Sequence, residues 1–192
     1  SDPLTVASGR TWRNDGTLTV ADNDYISLSG TLTNAAGATM NLSSGAATPI
    51  TGSGTLNNQG TLNQTTTGDH TIQSALNNSG ILNVSAGTVV VSGALTQTGT
   101  IDLATNTALR KTGGFTNEGT LRGGGTFDVG AGKTLINNGT IRPGGDGNTG
   151  SLSSTGNLAM GSSGTLAIDV LSATDPSTDY DQLVVSGAAS LN

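Results

Sequence analysis

The stretch Leu56-Asn-Asn-Gln-Gly-Thr-Leu62 gives the form of a phrase, Leu-x-Asn-x-Gly-Thr-Leu, that recurs along most of the chain. From this copy onward its glycine stands at positions 60, 80, 99, 119 and 139, so the step is 19 or 20 residues. A fixed period of this length is the signature of a repeat protein, in which each unit buries its apolar face by stacking on its neighbours. The clearest copies are Trp12–Leu18, Leu56–Leu62, Leu76–Leu82, Leu95–Ile101, Phe115–Leu121 and Leu135–Ile141.

Looser copies extend the array toward both ends of the chain. Leu32-Thr-Asn-Ala-Ala36 fills the interval between Gly16 and Gly60, and Met160-Gly-Ser-Ser-Gly-Thr-Leu166 follows the last clear copy. The sequence therefore predicts about eight coils of roughly 20 residues in a single segment, 1–192. Within it we expect a turn-rich insert at 143–150 and an acidic loop at 172–181.

Apolar and polar residues alternate inside each unit, as in Leu82 and Val84 or Ile101 and Leu103. Alternation over short runs bounded by Gly, Asn and Ser predicts strands rather than amphipathic helices. The 30 glycines also exclude helical repeats, because a glycine inside a helix costs on the order of 1 kcal/mol relative to alanine. The predicted fold is all-β, a parallel β-helix (β-solenoid) in which each coil adds a strand to each sheet.

Equivalent positions of successive coils should lie one above another, at about the 4.8 Å spacing of paired strands. The residues two places after the repeat glycine then form an internal core column: Leu62, Leu82, Ile101, Leu121 and Ile141. A second column contains Leu56, Leu76, Leu95, Phe115 and Leu135, and Trp12 falls at the same internal position. Between the columns we expect a structural ladder of hydrogen-bonded amides, formed by Asn58, Asn78, Gln97, Asn117 and Asn137.

Composition limits the choice of partners. The net charge is −6, which opposes binding to nucleic acid or to an anionic membrane. No run of twenty apolar residues is present, so the sequence predicts no membrane-spanning helix. Charged residues are 10% of the chain and aromatic residues 3%, a content typical of disorder when no period accompanies it. Because the period is present, we interpret the chain as one elongated domain.

Two stretches carry a resemblance to a known group of proteins. Gly164-Thr-Leu-Ala-Ile-Asp-Val170, a polar loop and then Tyr180–Leu191 are similar to the closing repeats of autotransporter passenger domains. The coils themselves resemble those of type V secretion passengers and filamentous-haemagglutinin-like adhesins, as does the turn Arg142-Pro-Gly-Gly145.

The resemblance implies a right-handed β-helix exported to the bacterial cell surface, as part of a longer outer-membrane-attached protein. It implies a role as an adhesin or rigid stalk, with C-terminal coils that support folding during secretion. The implied partners are a host or bacterial surface protein or glycan, or a second copy of the chain.

Few residues of the sequence suggest catalysis or metal binding. His70, the one histidine, follows Asp69 in a loop-like run, and we expect an exposed turn residue rather than a catalytic base. Calcium binds six to eight oxygen ligands, so the carboxylates near the end of the chain are candidate calcium ligands, against the alternative of a solvated acidic loop. They are Asp169, Asp175, Asp179 and Asp181.

An enzyme is the alternative reading. Parallel β-helices also include polysaccharide lyases and tailspike hydrolases, and stacked coils can hold two carboxylates at the separation of about 5 to 9 Å that a glycosidase needs. Here the acidic residues seldom recur at equivalent coil positions, and one Trp, two Tyr and two Phe offer few platforms for sugar stacking. We therefore expect no enzymatic activity and no cofactor, with a polysaccharide-binding or polysaccharide-degrading β-helix as the alternative.

Overall fold

The computed structural model describes residues 3–172, 174–175 and 178–191. In these residues there are twenty-six strands, numbered here in chain order, and no helix. Three consecutive strands make one coil, so the described chain forms eight three-strand coils and the first two strands of a further coil. This confirms the predicted all-β parallel solenoid and its repeat of roughly 20 residues.

The first four coils consist of β1 (Leu4–Val6), β2 (Thr11–Asn14), β3 (Thr17–Val20), β4 (Ile26–Leu28), β5 (Thr31–Asn34), β6 (Thr39–Leu42), β7 (Ile50–Thr51), β8 (Thr55–Asn58), β9 (Thr61–Gln64), β10 (Asp69–Ile72), β11 (Ala75–Asn78) and β12 (Ile81–Val84). The next four consist of β13 (Thr88–Val91), β14 (Leu95–Gln97), β15 (Thr100–Leu103), β16 (Ala108–Arg110), β17 (Phe115–Asn117), β18 (Thr120–Gly123), β19 (Thr126–Asp128), β20 (Thr134–Asn137), β21 (Thr140–Pro143), β22 (Ser151–Thr155), β23 (Asn157–Met160) and β24 (Thr165–Leu166). The last two strands are β25 (Gln182–Val185) and β26 (Ala189–Ser190).

Each of the three sheets collects one strand from every coil. The first sheet has the order β1-β4-β7-β10-β13-β16-β19-β22-β25, and the second has β2-β5-β8-β11-β14-β17-β20-β23-β26. The third runs β3-β6-β9-β12-β15-β18-β21-β24, and all these neighbours pair in parallel. The repeated phrase occupies one corner of the coil: its Leu-x-Asn lies in the second strand and its final Thr-Leu in the third.

The core is a thin apolar column inside the three sheets. The structure places Leu62, Leu82, Ile101, Leu121 and Ile141 there in direct register, none more than 2% exposed. Leu56, Leu76, Phe115 and Leu135 are also buried, whereas Leu95 is partly exposed.

Trp12 does not occupy the core that its place in the phrase predicts. It is in register with Leu32, which is buried, yet 46% of the tryptophan surface is exposed. The prediction was wrong because Trp12 lies in the first coil, where β2 has one neighbouring strand, β5, and so its ring is covered from one side.

The repeat glycine is required by the closeness of successive coils. A Cβ built on Gly99 would collide with the carbonyl oxygen of Gly80, and Gly119 and Gly139 stand in the same relation to the glycine one coil earlier. None of these three glycines has a positive φ. The position therefore selects glycine for its lack of a side chain rather than for its conformational freedom.

Two excursions leave the regular coil near the C-terminal end. The predicted insert at 143–150 begins at Pro143, the last residue of β21, and its remaining residues separate β21 from β22; Gly144, Gly145 and Gly147 adopt positive φ within it. The predicted acidic loop at 172–181 lies between β24 and β25, and its residues 173, 176 and 177 are outside the described part of the chain. Val170 and Tyr180 form an antiparallel bridge at the base of this loop.

Candidate functional site

Outward-facing side chains of the third sheet form a polar row along the axis of the solenoid. One residue from each of the first seven coils contributes, in direct register: Thr19, Asn41, Asn63, Asn83, Asp102, Arg122 and Arg142. The N-terminal part of the row is neutral and the C-terminal part is charged. The side-chain chemistry of this face therefore changes between the coil of Asn83 and the coil of Asp102.

The neutral part of the row is an outer amide ladder. The Nδ2 of Asn83 donates to the Oδ1 of Asn63 at 2.9 Å, and the Nδ2 of Asn63 donates to the Oδ1 of Asn41 at 2.9 Å. Every amide of this ladder thus donates toward the N-terminal end.

The charged part of the row is an ion-pair network. Arg122 donates from Nε to Oδ2 of Asp102 at 2.8 Å and from Nη1 to Oδ2 of Asp146 at 2.8 Å. Arg142 also pairs with Asp146, which belongs to the insert after β21. The network therefore fastens the insert to the third sheet.

A shallow cavity opens at the point where the outer ladder meets the charged part. Its volume is about 310 Å³, and we call it the third-sheet groove. The groove is lined by Asn63, Thr65, Asn83, Val84, Ser85, Asp102 and Ala104. Sequence reasoning did not single out these residues, although each of Asn63, Asn83 and Asp102 directly follows a core-column residue and so shares one outward position.

The inner amides form the ladder between the apolar columns. Nδ2 of Asn58 donates to Oδ1 of Asn78 at 2.7 Å, and Nδ2 of Asn78 donates to Oε1 of Gln97 at 2.8 Å. Asn117 donates in the same way to Asn137 at 2.7 Å. Gln97 instead turns its Nε2 to the carbonyl of Gly99 at 2.8 Å, so the ladder runs in two parts.

The first part of the inner ladder begins earlier than the sequence analysis proposed. Asn14 donates to Asn34 and Asn34 to Asn58, both at 2.8 Å. Both asparagines occupy the Asn position of copies of the repeated phrase, so the signal was present. All ladder amides beyond Asn14 are buried, which makes the ladder part of the interior and not a surface for ligands.

His70 lies inside the solenoid, and the expectation of an exposed turn residue was wrong. It is part of β10 and 3% exposed, with Nδ1 2.9 Å from Nε2 of Gln64 and Nε2 3.4 Å from Oγ1 of Thr66. Successive side chains of a strand point to opposite faces, so Asp69 points outward when His70 points inward. The two residues therefore do not form a catalytic pair.

Asp69 belongs to an ion-pair network on the outer face of the first sheet. Arg110 donates from Nη1 to Asp69 at 2.8 Å and from Nε to Asp128 at 3.0 Å. The hydrogen bond from Arg110 lowers the pKa of Asp69 below its ordinary value of 3.8. The pKa of Arg110 is raised in return, chiefly by its hydrogen bond to Asp128 and then by that to Asp69.

This pairing predicts how Asp69 titrates. A lowered pKa means that the ionised carboxylate favours the folded chain above pH 3.8, and that this contribution is lost as pH falls through the folded pKa. Arg110→Gln should raise the pKa of Asp69 toward 3.8, while Arg142→Gln, on the third sheet, should leave it unchanged. NMR titration of the Asp69 carboxyl carbon measures this, and an unmoved midpoint in Arg110→Gln would contradict it.

The four candidate calcium ligands do not converge on one point in the described structure. Asp181 is 5% exposed, and its carboxylate accepts hydrogen bonds from the backbone N–H of Gly150 at 2.8 Å and of Asp169 at 2.9 Å. The carboxylate of Asp179 accepts from the N–H of Asp175 at 3.1 Å. In the described ranges no three His, Cys, Asp or Glu side chains form a group able to hold a metal ion.

Asp181 does not fit the alternative interpretation either, because a residue of a solvated acidic loop would be exposed and Asp181 is buried. Its carboxylate joins the insert, through Gly150, to the segment just before the acidic loop, through Asp169. Each oxygen of this buried carboxylate accepts one N–H hydrogen bond, so its role in this structure is to hold two backbone segments together.

Comparison of the chain with protein-family models, with curated proteins and with solved structures gives no match. Among the described residues, no helix is long and apolar enough to cross a membrane.

Proposed function

We propose that this chain is a stiff, surface-displayed segment of a bacterial secreted protein, and that its outer faces act in adhesion. The observation that carries the proposal is the unbroken coil-to-coil pairing of all three sheets over eight coils. At about 4.8 Å per coil, this stack gives a rod on the order of 40 Å long. Such a rod holds a long polar surface in a fixed arrangement.

The resemblance of the coils and closing repeats to autotransporter passengers supports display at the cell surface. In this proposal the C-terminal coils also support folding during secretion. The two excursions joined by Asp181 lie in these coils, where a single buried carboxylate links residues far apart in sequence.

The groove favours binding over cleavage of a polysaccharide. A glycosidase of either stereochemical class uses two carboxyl groups flanking the scissile bond. Asp102 is the carboxylate that lines the third-sheet groove, and it is paired with Arg122. A polysaccharide-degrading role is therefore the less supported alternative.

Beads that carry the chain through one terminus test the adhesive role. We expect them to attach to epithelial or bacterial cells more than beads carrying the Gly119→Ala variant, in which the coil stacking is broken. Attachment equal to that of beads coated with albumin would contradict adhesion. Analytical ultracentrifugation of the free chain tests self-association as the adhesive contact.

A further inference from the structure

The outer amide ladder ends with an acceptor that no side chain of the described structure satisfies. Asn83 donates its Nδ2 to Asn63, and the next coil places Asp102 beside Asn83 in direct register. A carboxylate has no hydrogen to donate. Asn83 donates a hydrogen bond to the Oδ1 of Asn63. Asp102, at the same position of the next coil, cannot donate one to the Oδ1 of Asn83.

Asp102 presents a second acceptor at the same place. Its Oδ2 receives the hydrogen bond from Arg122, and its Oδ1 receives none from the described side chains. Neighbouring strands lie about 4.8 Å apart, so acceptors of two adjacent coils stand side by side in one cavity. This spacing suits a ligand that offers two neighbouring O–H donors.

The wall of the groove adds further acceptors and a small apolar surface. The Ser85 hydroxyl donates to the carbonyl of Gln64 at 2.9 Å, and the Thr65 hydroxyl lies 3.5 Å from the carbonyl of Leu42. Their hydrogens are thus directed to the backbone, which leaves oxygen lone pairs for a ligand. Ala104 completes the wall with a methyl group.

We propose that the third-sheet groove binds a neutral saccharide, through adjacent hydroxyl groups that donate to Asn83 and Asp102. This inference rests on the proposed adhesive function and names its ligand class. An acidic sugar would be repelled by the carboxylate of Asp102, and the wall would offer its charged group acceptors rather than donors. A metal ion would find one carboxylate, whose charge Arg122 already balances. A neutral sugar supplies donors to every acceptor, and its C–H face contacts Ala104.

The test begins with an array of neutral and acidic oligosaccharides and continues with an NMR titration of the best neutral glycan. We expect shifts in the side-chain amides of Asn63 and Asn83. The amides of Asn57 and Asn77, which form a similar pair on the outer face of the second sheet, should not move. Calcium chloride alone is titrated in parallel, and shifts of the same amides by calcium would overturn the proposal.

Two substitutions change the pair of acceptors on Asn83 and Asp102, and both positions face outward from the core. Asp102→Asn extends the outer ladder, because the new amide can donate to the Oδ1 of Asn83, and it should weaken glycan binding at least about tenfold while the denaturation midpoint is unchanged. Asn83→Thr should weaken binding to a similar extent. Asn77→Thr is the matched control and should bind as the unmodified chain does.

The outcomes separate this proposal from the proposed function. Three results would each overturn the groove assignment. They are glycan binding that survives both Asp102→Asn and Asn83→Thr, binding of acidic glycans alone, and no binding on the array. If beads carrying these two variants still attach to cells, adhesion stands and the groove is not its site. If the groove binds glycan but the beads do not attach, the adhesive function falls and the binding site remains.

Discussion

Gly119→Ala is expected to destabilise the chain by about 4 kcal/mol, the largest effect we predict for one methyl group. The added Cβ would collide with the carbonyl oxygen of Gly99 and would lie 2.6 Å from the carbonyl carbon of Thr98. These atoms are backbone, so no side chain can rotate away to relieve the overlap. The two stacked coils that contain Gly99 and Gly119 would have to separate, which breaks the parallel pairing of β18 with β15. Urea denaturation followed by circular dichroism measures the loss.

Gly16→Ala provides the matched control for this experiment. Gly16 holds the same place in the phrase, but a Cβ there meets no atom within 4 Å and its φ is not positive. We expect a change within about 0.5 kcal/mol. If the two variants lost stability equally, steric crowding between coils would not be the reason for the repeat glycine.

Asn78→Ala should cost about 3 kcal/mol, because it removes a member of the inner ladder from between its neighbours. Asn78 accepts from Asn58 at 2.7 Å and donates to Gln97 at 2.8 Å and to the carbonyl of Thr100 at 3.0 Å. Alanine leaves the buried amides of Asn58 and Gln97 and the carbonyl of Thr100 without this hydrogen bond, and water does not reach a site that is 1% exposed.

Asn77→Ala, at the adjacent residue, is the control. It shows whether loss of any asparagine lowers stability or only loss of one in the buried ladder. Asn77 lies in the same strand but faces outward, where its amide bonds to Asn57 in contact with solvent. We expect a loss below about 0.5 kcal/mol, since water replaces this hydrogen bond. Equal denaturation midpoints for the two variants would show that the inner ladder contributes no more than a surface pair.

The stacking of the coils could be predicted from the sequence because one phrase repeats with nearly constant spacing. Leu82 and Asn78 take their places from that spacing alone. His70 was misjudged since Thr65 to His70 looks like a loop, although Ile72, two residues later, is buried and the strand period of two places His70 on the same inner face.

Other features could not be predicted from the sequence, because they depend on contacts outside the repeated pattern. Asp181 is buried by hydrogen bonds to Gly150 and Asp169, in two excursions whose lengths occur once in the chain. The groove arises where an amide row meets a carboxylate of the next coil. Its residues could be aligned from the phrase, but the direction in which each amide donates is visible only in the structure.

The parallel register has a consequence for how the chain folds. A hydrogen bond between adjacent coils, such as that from Asn58 to Asn78, joins residues 20 positions apart, and the same separation recurs at Asn117 and Asn137. The loop that must close to add a regular coil therefore stays near this size however many coils are already in place, and its entropic cost does not grow with their number. Contacts remain local relative to chain length, unlike those of a β-sandwich, whose long-range pairings slow folding. Each completed coil offers a finished edge to the next, so folding can advance along the axis by repeating one small step.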